Sequence, residues 1–453
     1  MRKEKLYQLL MIVAFFSATT NVFGKVITIN SLKELDFYAR ESNNKIRLKA
    51  GTYKLADFLN SDSINAKIQR KNFQYLNFTG NNNEFDFRGV HIEIDTKLRE
   101  LLKFPIHTTE IIVSGNGNVL RGLKITCVGD GLSPGGATFE VSGENNIIRN
   151  FNITVKGSFP YGYGDLFGKG GPDVIRHKKQ SGFLITGSFT KIYDTKLFMR
   201  SFGHGFFIQK DAGNIYFENC YVEGETRKTD DILKETSGPA IDVKFRTWTA
   251  NREGKFIVTP GYMKSLCEDG FRTYGQNKNI RFKNCTAKNT RGGFELRTNG
   301  GVILENCTVI GAERAYWFGN NAIVKNCKGD ANYGPLFFME GSNAKVELEL
   351  LPNELDRIVH SLATIQGSNN KITLKDSKGK KRTQPLPILI GFTHPEHGES
   401  MSPYSEGKCE NLEFSNLTKM PITIGSLAQN NSIETKGIIK ENMGLNNQIK
   451  KLK

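Results

Sequence analysis

Asn279-Ile-Arg-Phe-Lys-Asn-Cys285 is repeated in this chain with small changes, and the repetition decides the fold. The other copies are Asn214-Ile-Tyr-Phe-Glu-Asn-Cys220, Gly301-Val-Ile-Leu-Glu-Asn-Cys307 and Asn321-Ala-Ile-Val-Lys-Asn-Cys327. The last three cysteines are spaced by 22 and 20 residues, and the first interval, 65 residues, is close to three such periods. A period of this length, with short strands between Gly and Asn turns, indicates a solenoid.

A second phrase alternates with the first and supplies another strand to each repeat. Its copies are Gly205-Phe-Phe-Ile-Gln209, Gly270-Phe-Arg-Thr-Tyr274, Gly293-Phe-Glu-Leu-Arg297, Ala315-Tyr-Trp-Phe-Gly319 and Pro335-Leu-Phe-Phe-Met339. Each turn of the solenoid therefore holds at least two short strands around an Asn corner. The sequence predicts an all-β fold, a single-stranded right-handed parallel β-helix with loop insertions.

The Asn before each Cys has a physical reason to recur. Asn tolerates the left-handed conformation that a tight corner needs, and stacked corners can form a ladder of side-chain amides. The Cys that follows then points inward. Because the chain has seven cysteines, four of them at this position, we expect buried free thiols and no disulfides. No pair has the CxxC spacing of a zinc site.

Charge and the first residues indicate where the protein works. The formal net charge is +16, which suits nucleic acid in a cytosolic protein but an acidic polysaccharide in an exported one. Residues 1–24 predict a signal peptide, because Arg2, Lys3 and Lys5 precede an apolar run and Gly24 precedes the expected cut. The apolar run is far shorter than the ~20 residues of a membrane span. We therefore expect a secreted or periplasmic protein with no membrane span and no nucleic-acid partner.

The rest of the chain reads as one domain, which we expect to be a monomer. Ser31 begins a short helical pattern that would cover the open end of the first turn. A strand is predicted at Pro239-Ala-Ile-Asp-Val-Lys-Phe245. The expected parts are an N-terminal cap (residues 25–60), the β-helix (61–435), insertions near 159–180, 223–237 and 394–408, and a basic tail that frays (436–453).

Alternation along the second phrase predicts an unusual outer face. With Phe206, Phe271, Phe294, Tyr316 and Leu336 turned inward, Phe337 and a set of charged and aromatic residues turn outward. Such residues on a rigid sheet predict a carbohydrate groove, with Trp317 or Tyr274 stacking on a sugar ring. The alternative is that the aromatics pack under a loop. The outward set is His204, Phe207, Asp269, Arg272, Tyr274, Glu295, Arg297, Arg314 and Trp317, and the strand at Pro239 adds Asp242 and Lys244.

Two segments outside the repeats join this prediction. Tyr262 and Lys264 lie just before a strand of the groove and reach it if their loop folds over. Tyr163 belongs to a Gly- and aromatic-rich excursion, of the kind that commonly carries function when it leaves a rigid scaffold.

The chain resembles the secreted right-handed β-helix polysaccharide lyases and alginate C5-epimerases, which share the pectin-lyase-like fold. The resemblance lies in Asp269-Gly-Phe-Arg-Thr-Tyr274 and Arg291-Gly-Gly-Phe-Glu-Leu296 between Asn-Cys corners, and in the repeats of most of the mature chain. Gly203-His-Gly205 resembles the Gly-His-Gly of polygalacturonase-type hydrolases. The paired-Asp motifs that precede it in those hydrolases, and the later Arg-Ile-Lys, are absent here.

The resemblance implies β-elimination on a uronic-acid polymer. A cation neutralises the carboxylate, a base removes the α-proton, and an acid protonates the departing oxygen. We assign Arg272 and Arg297 to neutralisation, His204 or Lys244 to the base, and Tyr274 to the acid. The residues expected to bind substrate are Asp242, Asp269, Glu295, Arg314, Trp317, Phe207, Tyr262, Lys264 and Tyr163.

Three other functions stay open from the sequence. An epimerase would use nearly the same groups and return the proton to the other face. A hydrolase would need two carboxylates, which Asp242, Asp269 and Glu295 can supply. A glycan-binding solenoid without activity would keep the aromatics alone. We expect no cofactor; some members of the resembled family use calcium, but no Asp cluster in this sequence demands it.

Overall fold

The computed structural model describes residues 25–59, 62, 74–101, 108–171, 173–209, 211–352, 356–378, 384–395 and 401–453. The predicted signal peptide lies outside these residues. Short strands stack in register, each parallel to the strand one turn before it, which makes a parallel β-helix as predicted. No helix in the described part of the chain is long and apolar enough to cross a membrane.

One sheet, which we call the front sheet, carries the candidate site on its outer face. Its strands pair in chain order, so each turn contributes one. They are Leu76–Phe78, Thr108–Val113, Gly136–Val141, Gln180–Ile185, Phe206–Ile208, Phe271–Thr273, Gly292–Leu296, Arg314–Phe318, Phe337–Met339, Ala363–Ile365, Ile388–Ile390, Ile422–Ile424 and Ile439–Asn442.

The second sheet, the back sheet, bends at the Asn corners and closes the core from the other side. In chain order its strands are Val26–Ile29, Lys45–Leu48, Gly51–Lys54, Glu84–Asp95, Val119–Val128, Ile147–Arg149, Asn152–Lys156, Lys191–Tyr193, Lys196–Arg200, Gly213–Glu218, Tyr221–Glu223, Lys278–Lys283, Thr286–Lys288, Gly300–Glu305, Thr308–Ile310, Ile323–Gly329, Lys345–Leu350, Lys371–Asp376, Glu413–Asn416, Ser432–Thr435 and Gln448–Lys451.

The remaining elements are short. A small parallel sheet and one antiparallel pair lie outside the two main sheets; their strands are Gly367–Ser368, Cys409–Glu410 and Ala428–Gln429, and Thr226–Lys228 with Met263–Ser265. Among the described residues, helices span Leu32–Tyr38, Leu55–Phe58, Thr229–Ile232 and Pro239–Asp242, with a 3₁₀ turn at Thr96–Arg99.

The corners confirm the expected Asn ladder. Asn219, Asn284 and Asn306 have φ angles of 55°, 53° and 56°. The side-chain amides of Asn284 and Asn306 each donate to the Asn of the turn before at 3.2 Å, and that of Asn219 donates to Asp194 at 2.9 Å. The strand Gly213–Glu218 pairs directly with Lys278–Lys283. The 65-residue interval is therefore one turn with a long insertion, and the three-period interpretation is wrong. The interval between two repeats counts residues, and an inserted loop adds residues without adding a turn of the solenoid.

The core confirms most of the inward positions. The rings of Phe206, Phe271, Phe294 and Tyr316 stack in sequence, with centroids 5.2, 4.5 and 5.7 Å apart. The next turn differs, because Tyr316 pairs with Phe337 and not with Leu336. Phe337 therefore points inward and Phe338 outward, the reverse of the prediction. A register shift of one residue exchanges the two faces of a strand. Because Phe337 and Phe338 are identical, the alternation of residue types cannot show which of them points inward.

All seven cysteines are buried and free, as predicted. A buried thiol is shielded from water-soluble reagents, and burial raises the pKa of Cys267 to about 12, which disfavours the reactive thiolate. We expect a polar disulfide reagent to label no thiol in the native protein and all seven after denaturation. Rapid labelling of the native protein would contradict the buried ladder.

The sequence predicted the N-terminal end of the solenoid correctly but not the C-terminal end. The helix Leu32–Tyr38 starts where it was predicted, with Ser31 Oγ accepting a hydrogen bond from the Glu34 amide at 3.2 Å. The tail was expected to fray, but Ile439–Asn442 and Gln448–Lys451 each pair with a strand of the preceding turn. The exposed edge of a β-helix offers backbone partners to almost any sequence, so a polar segment can still add a strand.

The three insertions converge on the front sheet. We call residues 159–180, 225–266 and 391–408, so far as they are described, the roof. Their apolar side chains form a second core, separate from the core of the solenoid. It contains Tyr163, Leu166, Phe167, Ile232, Ala240, Val258, Tyr262 and Met401.

The roof includes one corrected element. The segment predicted as a strand at 239–245 begins with the helix Pro239–Asp242, and Lys244 has a φ of 53°. Gly238 followed by a proline in the first helical position favours a helix start over a strand. Asp242 and Lys244 were placed in the groove because side chains alternate along a strand. Since the segment is not a strand, that argument does not apply. Both side chains are exposed on the roof.

Candidate functional site

A buried carboxylate, Asp269, lies at the centre of the outer face of the front sheet. Its Oδ1 accepts hydrogen bonds from Arg291 Nη2 at 3.1 Å and Arg314 Nη2 at 3.3 Å. Its Oδ2 lies 3.3 Å from His204 Nδ1 and 3.7 Å from Arg272 Nη1. One anion thus holds four cationic or potentially cationic side chains.

A second buried carboxylate, Glu295, binds the neighbouring arginines. It accepts from Arg314 Nε at 2.7 Å, lies 2.8 Å from Arg297 Nη2 and forms an ion pair with Arg272. Charged groups survive burial only when they are paired and hydrogen-bonded in this way. The guanidinium groups are therefore held in fixed positions.

Strand register brings these residues together. Arg272, Glu295 and Trp317 occupy the same outward position on successive turns, which lie ~4.8 Å apart. Small residues just before the strands let the turns approach: a Cβ on Gly205 would lie 2.7 Å from the Gly270 carbonyl oxygen. The second phrase of the repeat therefore builds the site as well as the sheet.

The exposed aromatic platform is a wrong prediction. Trp317 and Phe207 are only 1% and 6% exposed. The Arg297 guanidinium carbon lies 3.3 Å from the centre of the Trp317 ring, and the His394 ring lies 3.7 Å away on another side. Trp317 Nε1 donates to Glu340 at 2.6 Å. Alternation assigns a face but does not show what covers it, and here His394 of the third insertion covers Trp317 while the His204 ring lies beside Phe207.

Three residues expected in the groove lie inside the roof. Lys264 is buried between Asp165, 2.8 Å away, and Glu313. The other two are also hydrogen-bonded there: Tyr262 Oη lies 2.6 Å from His360 Nε2, and Tyr163 Oη donates to Glu235 at 2.8 Å. They join the insertions to each other and to the solenoid. Asp269, Glu295 and Arg314 are also buried, beneath the groove surface.

Four residues of the predicted chemistry remain accessible and adjacent: His204, Arg272, Tyr274 and Arg297. Each is half-buried, and the Arg272 guanidinium carbon lies 4.8 Å from the Tyr274 ring centre. Among the described residues, Arg272 Nε and Arg297 Nε have no hydrogen-bond acceptor. Buried donors without a partner are costly and indicate a place for a polar ligand or water.

Sequence reasoning missed a row of charged residues one position further back. Glu268, Arg291 and Glu313 occupy equivalent positions just before three successive strands. Lys179 Nζ lies 2.9 Å from Glu268 Oε1, and Glu268 Oε2 lies 3.5 Å from His204 Nε2. The sequence did contain a signal for this row, because in each of the three aligned repeats the residue one position before the predicted outward position is charged.

Lys169 was also missed, because it lies in an insertion with no repeat. Its backbone amide and those of Gly170 and Gly171 donate to Asp173 Oδ2 at 2.6, 2.9 and 3.0 Å, which fixes the turn that carries it. Its side-chain nitrogen lies 5.6 Å from the centre of the Trp248 ring. Lys169 is thus presented by a rigid turn of the roof.

Electrostatics separate the roles of these groups. Burial favours protonated Asp269, but Arg291, His204 and Arg314 together hold its pKa well below its usual range. Burial, reinforced by Arg291, lowers the pKa of Lys169 to about 6. Burial raises the pKa of Tyr274 although Arg272 opposes the shift. At neutral pH the site therefore holds an ionised Asp269, a largely neutral Lys169 amine and a protonated Tyr274.

The described residues include no group of three or more His, Cys, Asp or Glu side chains that could hold a metal ion. The carboxylates of the front sheet face arginines instead of each other. This arrangement is suited to binding an anion.

Comparison with known proteins agrees with the architecture. A family model described as a right-handed β-helix region matches residues 257–377, and no curated protein matches the sequence. A tailspike protein of E. coli bacteriophage HK620, solved with a hexasaccharide, superposes with a TM-score of 0.51 at 8% identity, covering 94% of this chain and 79% of that one. This chain is a right-handed parallel β-helix.

Other right-handed β-helix structures are similar at lower scores. An alginate lyase solved with a trisaccharide gives a TM-score of 0.48 at 11% identity, covering 94% of this chain and 85% of that one. The A-module of a mannuronan C-5 epimerase of Azotobacter vinelandii gives 0.42 at 10% identity, covering 88% and 99%. At these identities the similarity describes the fold of the chain.

Proposed function

We propose that this protein is an exported polysaccharide lyase that cleaves a uronic-acid-containing polysaccharide by β-elimination. The observation that carries the proposal is the pair Arg272 and Arg297, held on adjacent turns by Glu295 with their Nε atoms unpaired. The tailspike protein with the same fold was solved with a bound hexasaccharide, which supports a glycan as the ligand. The signal-peptide pattern of residues 1–24 supports export.

The two arginines are suited to neutralising a uronate carboxylate. Guanidinium groups pair with carboxylates through two parallel hydrogen bonds, and turns ~4.8 Å apart place both within reach of one sugar. Neutralising the carboxylate stabilises the negative charge that develops when the α-proton leaves. Because Arg272 and Arg297 are already oriented by Glu295, little reorganisation is needed on binding.

Tyr274 is placed to act as the general acid. It is half-buried, and its ring packs against the Arg272 guanidinium. Since burial raises its pKa, its hydroxyl stays protonated across the neutral range. A protonated phenol beside the carboxylate-binding arginines can deliver a proton to the departing glycosidic oxygen.

Lys169 takes the role of the base in this proposal. His204 is directed at the protein's own carboxylates, with Nδ1 3.3 Å from Asp269 Oδ2 and Nε2 3.5 Å from Glu268 Oε2, which suits a positioning role better than that of the base. Lys244 lies exposed on the roof. A neutral amine in a fixed turn at the same ionic cluster meets the requirement that a base be deprotonated at working pH. The α-proton moves to Lys169 as the bond to the departing oxygen breaks.

The structure favours elimination over hydrolysis. A hydrolase needs one carboxylic acid that is protonated at working pH, facing a second carboxylate. Asp269 is held ionised by surrounding cations, and Glu295 is bound by arginines. Asp242 lies exposed on the roof. An epimerase needs the same groups as a lyase, so only its product distinguishes it.

The pH dependence of turnover tests the assignment of Lys169. The base must be unprotonated, so we expect kcat/KM to fall as pH drops below about 6, the value to which burial, followed by the charge of Arg291, lowers the pKa of Lys169 against the opposing charges of Asp165 and Asp269. Lys169→Arg keeps a long basic side chain but is permanently charged and cannot accept a proton, and it should lower kcat by about 100- to 10,000-fold with substrate binding retained. The matched control is Lys178→Arg on an exposed neighbour. Full turnover in Lys169→Arg would refute the role.

An ultraviolet scan of the mature protein with alginate, pectate, hyaluronan, chondroitin sulfate and heparin tests the function itself. Rising absorbance from an unsaturated uronate is the expected result and identifies the substrate. New reducing ends without absorbance would indicate a hydrolase. Exchange of solvent protons into the polymer without cleavage would indicate an epimerase. Either of the last two results would refute the lyase proposal.

A further inference from the structure

Arg252, a half-buried residue of the second insertion, contrasts with the arginines of the groove. Each groove arginine pairs with a buried carboxylate: Arg272, Arg291, Arg297 and Arg314. The Nε and Nη2 atoms of Arg252 are buried, and the described residues offer neither atom a hydrogen-bond acceptor. A buried donor without a partner is costly, and more so on a charged group, so this position is suited to an acceptor from outside the chain.

The turn that carries Arg252 is fixed by the buried side chain of Asn251. Its Oδ1 accepts hydrogen bonds from the backbone amides of Glu253 at 3.1 Å and Lys255 at 2.9 Å. Its Nδ2 donates to Thr259 Oγ1 at 2.9 Å. The backbone on both sides of Arg252 is therefore held in one conformation, which reduces the ordering that binding would require.

Tyr404 of the third insertion supplies a second donor beside Arg252. The Arg252 guanidinium carbon lies 5.0 Å from the centre of the Tyr404 ring. Ser361 Oγ donates to Tyr404 Oη at 2.8 Å, so the phenol still has its own proton to donate. Burial raises the pKa of Tyr404, and the phenol therefore stays protonated at neutral pH.

The side chains next to this pair do not neutralise the charge of Arg252. Burial, followed by the charge of Arg252, lowers the pKa of His360 to about 4, so its ring is neutral at pH 7. Tyr262 Oη lies 2.6 Å from His360 Nε2, and burial raises the pKa of this phenol as well. Glu253, the next residue along the chain, is exposed to solvent. The cluster thus has a positive charge that an anion can balance.

The cluster lies at the edge of the front sheet that also carries the ionic cluster of the groove. Ser361 and Asp269 occupy equivalent positions before strands that are four turns apart, a separation of roughly 20 Å. Residues 248–252 connect the two places, because Trp248 at one end of this segment contacts Lys169. The Arg252 cluster is therefore a separate place on the same side of the molecule.

We propose that Arg252 and Tyr404 form a second binding site, for a carboxylate or sulfate group. A guanidinium binds such oxyanions through parallel hydrogen bonds, and the phenol adds a third donor. Acidic polysaccharides carry these groups, and the same groups also occur as free anions. A long polyuronate spans the distance between this site and the Arg272 and Arg297 pair. Occupation by that polymer rests on the proposed function, whereas the anion site itself does not.

Calorimetric titration of the wild type and Arg252→Gln tests the site, with inorganic sulfate and with a long oligouronate as separate probes. We expect affinity to fall by about 10- to 100-fold in the variant, the range for a hydrogen bond to a charged group. A loss with the oligouronate identifies the polymer as the source of the anion, and a loss with sulfate alone identifies a free anion. Unchanged affinity for both probes would overturn the inference.

The matched control is Arg246→Gln, which removes an exposed arginine from the same insertion and should change neither affinity. Equal losses in both variants would show a general effect of net charge and would also overturn the inference.

Tyr404→Phe gives a second variant that keeps the ring beside Arg252 and removes the phenol donor. It should weaken binding by about 10-fold, with circular dichroism to confirm folding. Unchanged affinity in this variant would contradict the role of Tyr404. These measurements follow binding and not cleavage, so their failure leaves the lyase proposal intact, and absence of lyase activity leaves the anion site open to the same test.

Discussion

Arg272→Met should lower kcat/KM on the uronate polymer by about 100- to 1,000-fold, the cost typical of losing one preorganised group that stabilises developing negative charge. Met keeps much of the side-chain length but has no charge and no N–H donor. Glu295 retains Arg297 and Arg314 as partners, so the fold should persist. The measurement is initial rate by absorbance of the unsaturated product, with circular dichroism to confirm folding.

The matched control is the same substitution at Arg281, on the back sheet. Arg281 is half exposed and its Nη2 lies 3.6 Å from Glu305 Oε1, in an ordinary surface ion pair. Arg281→Met should leave turnover unchanged. If Arg272→Met retained wild-type turnover, or if both variants lost activity equally, the carboxylate-binding role of Arg272 would be wrong.

Asp269→Asn should destabilise the protein by about 3–5 kcal/mol, the usual cost of removing one partner from a buried ionic network. Asp269 is fully buried, and its loss leaves Arg291 and Arg314 close together without their shared anion. Chemical denaturation monitored by fluorescence gives the free energy of unfolding. Glu218→Gln, which removes a half-buried surface partner of Lys283, is the control and should change stability little.

The same residue predicts a pH effect on stability. The pKa of Asp269 is well below its unfolded value, so its stabilisation is present above the ordinary Asp pKa of about 4 and is lost as pH falls toward the folded value. Stability of the wild type should therefore decline steeply on acidification. Asp269→Asn should show a shallower decline. Parallel declines in both proteins would contradict the assignment.

The fold could be predicted because short local segments determine each turn, and similar segments recur in successive turns. Each Asn corner and each inward Phe is dictated by its own few neighbours, and the next turn repeats them. Phe337 shows the limit of such a prediction, because either of two adjacent phenylalanines could be the one that points into the core. The 65-residue interval shows another, because no local pattern distinguishes an insertion from extra turns.

The site could be predicted only in part, for a related reason. Arg272, Glu295 and Arg297 were found because their positions follow from the sheet. Whether Trp317 is exposed depends on His394, a residue of a distant loop with no repeat to locate it. Lys169 belongs to a similar loop, and its altered pKa comes from burial that exists only in the folded roof. Tertiary packing of irregular segments leaves little trace in local sequence.

Arg272 and Arg297 together are proposed to form a binding site for a sugar carboxylate. Calorimetric titration of the wild-type protein with an oligouronate, and with the same oligosaccharide after reduction of its carboxyl groups to alcohols, tests this most directly. We predict that the oligouronate binds and that the reduced sugar, similar in size but neutral, binds far more weakly. Equal affinity for both would contradict it.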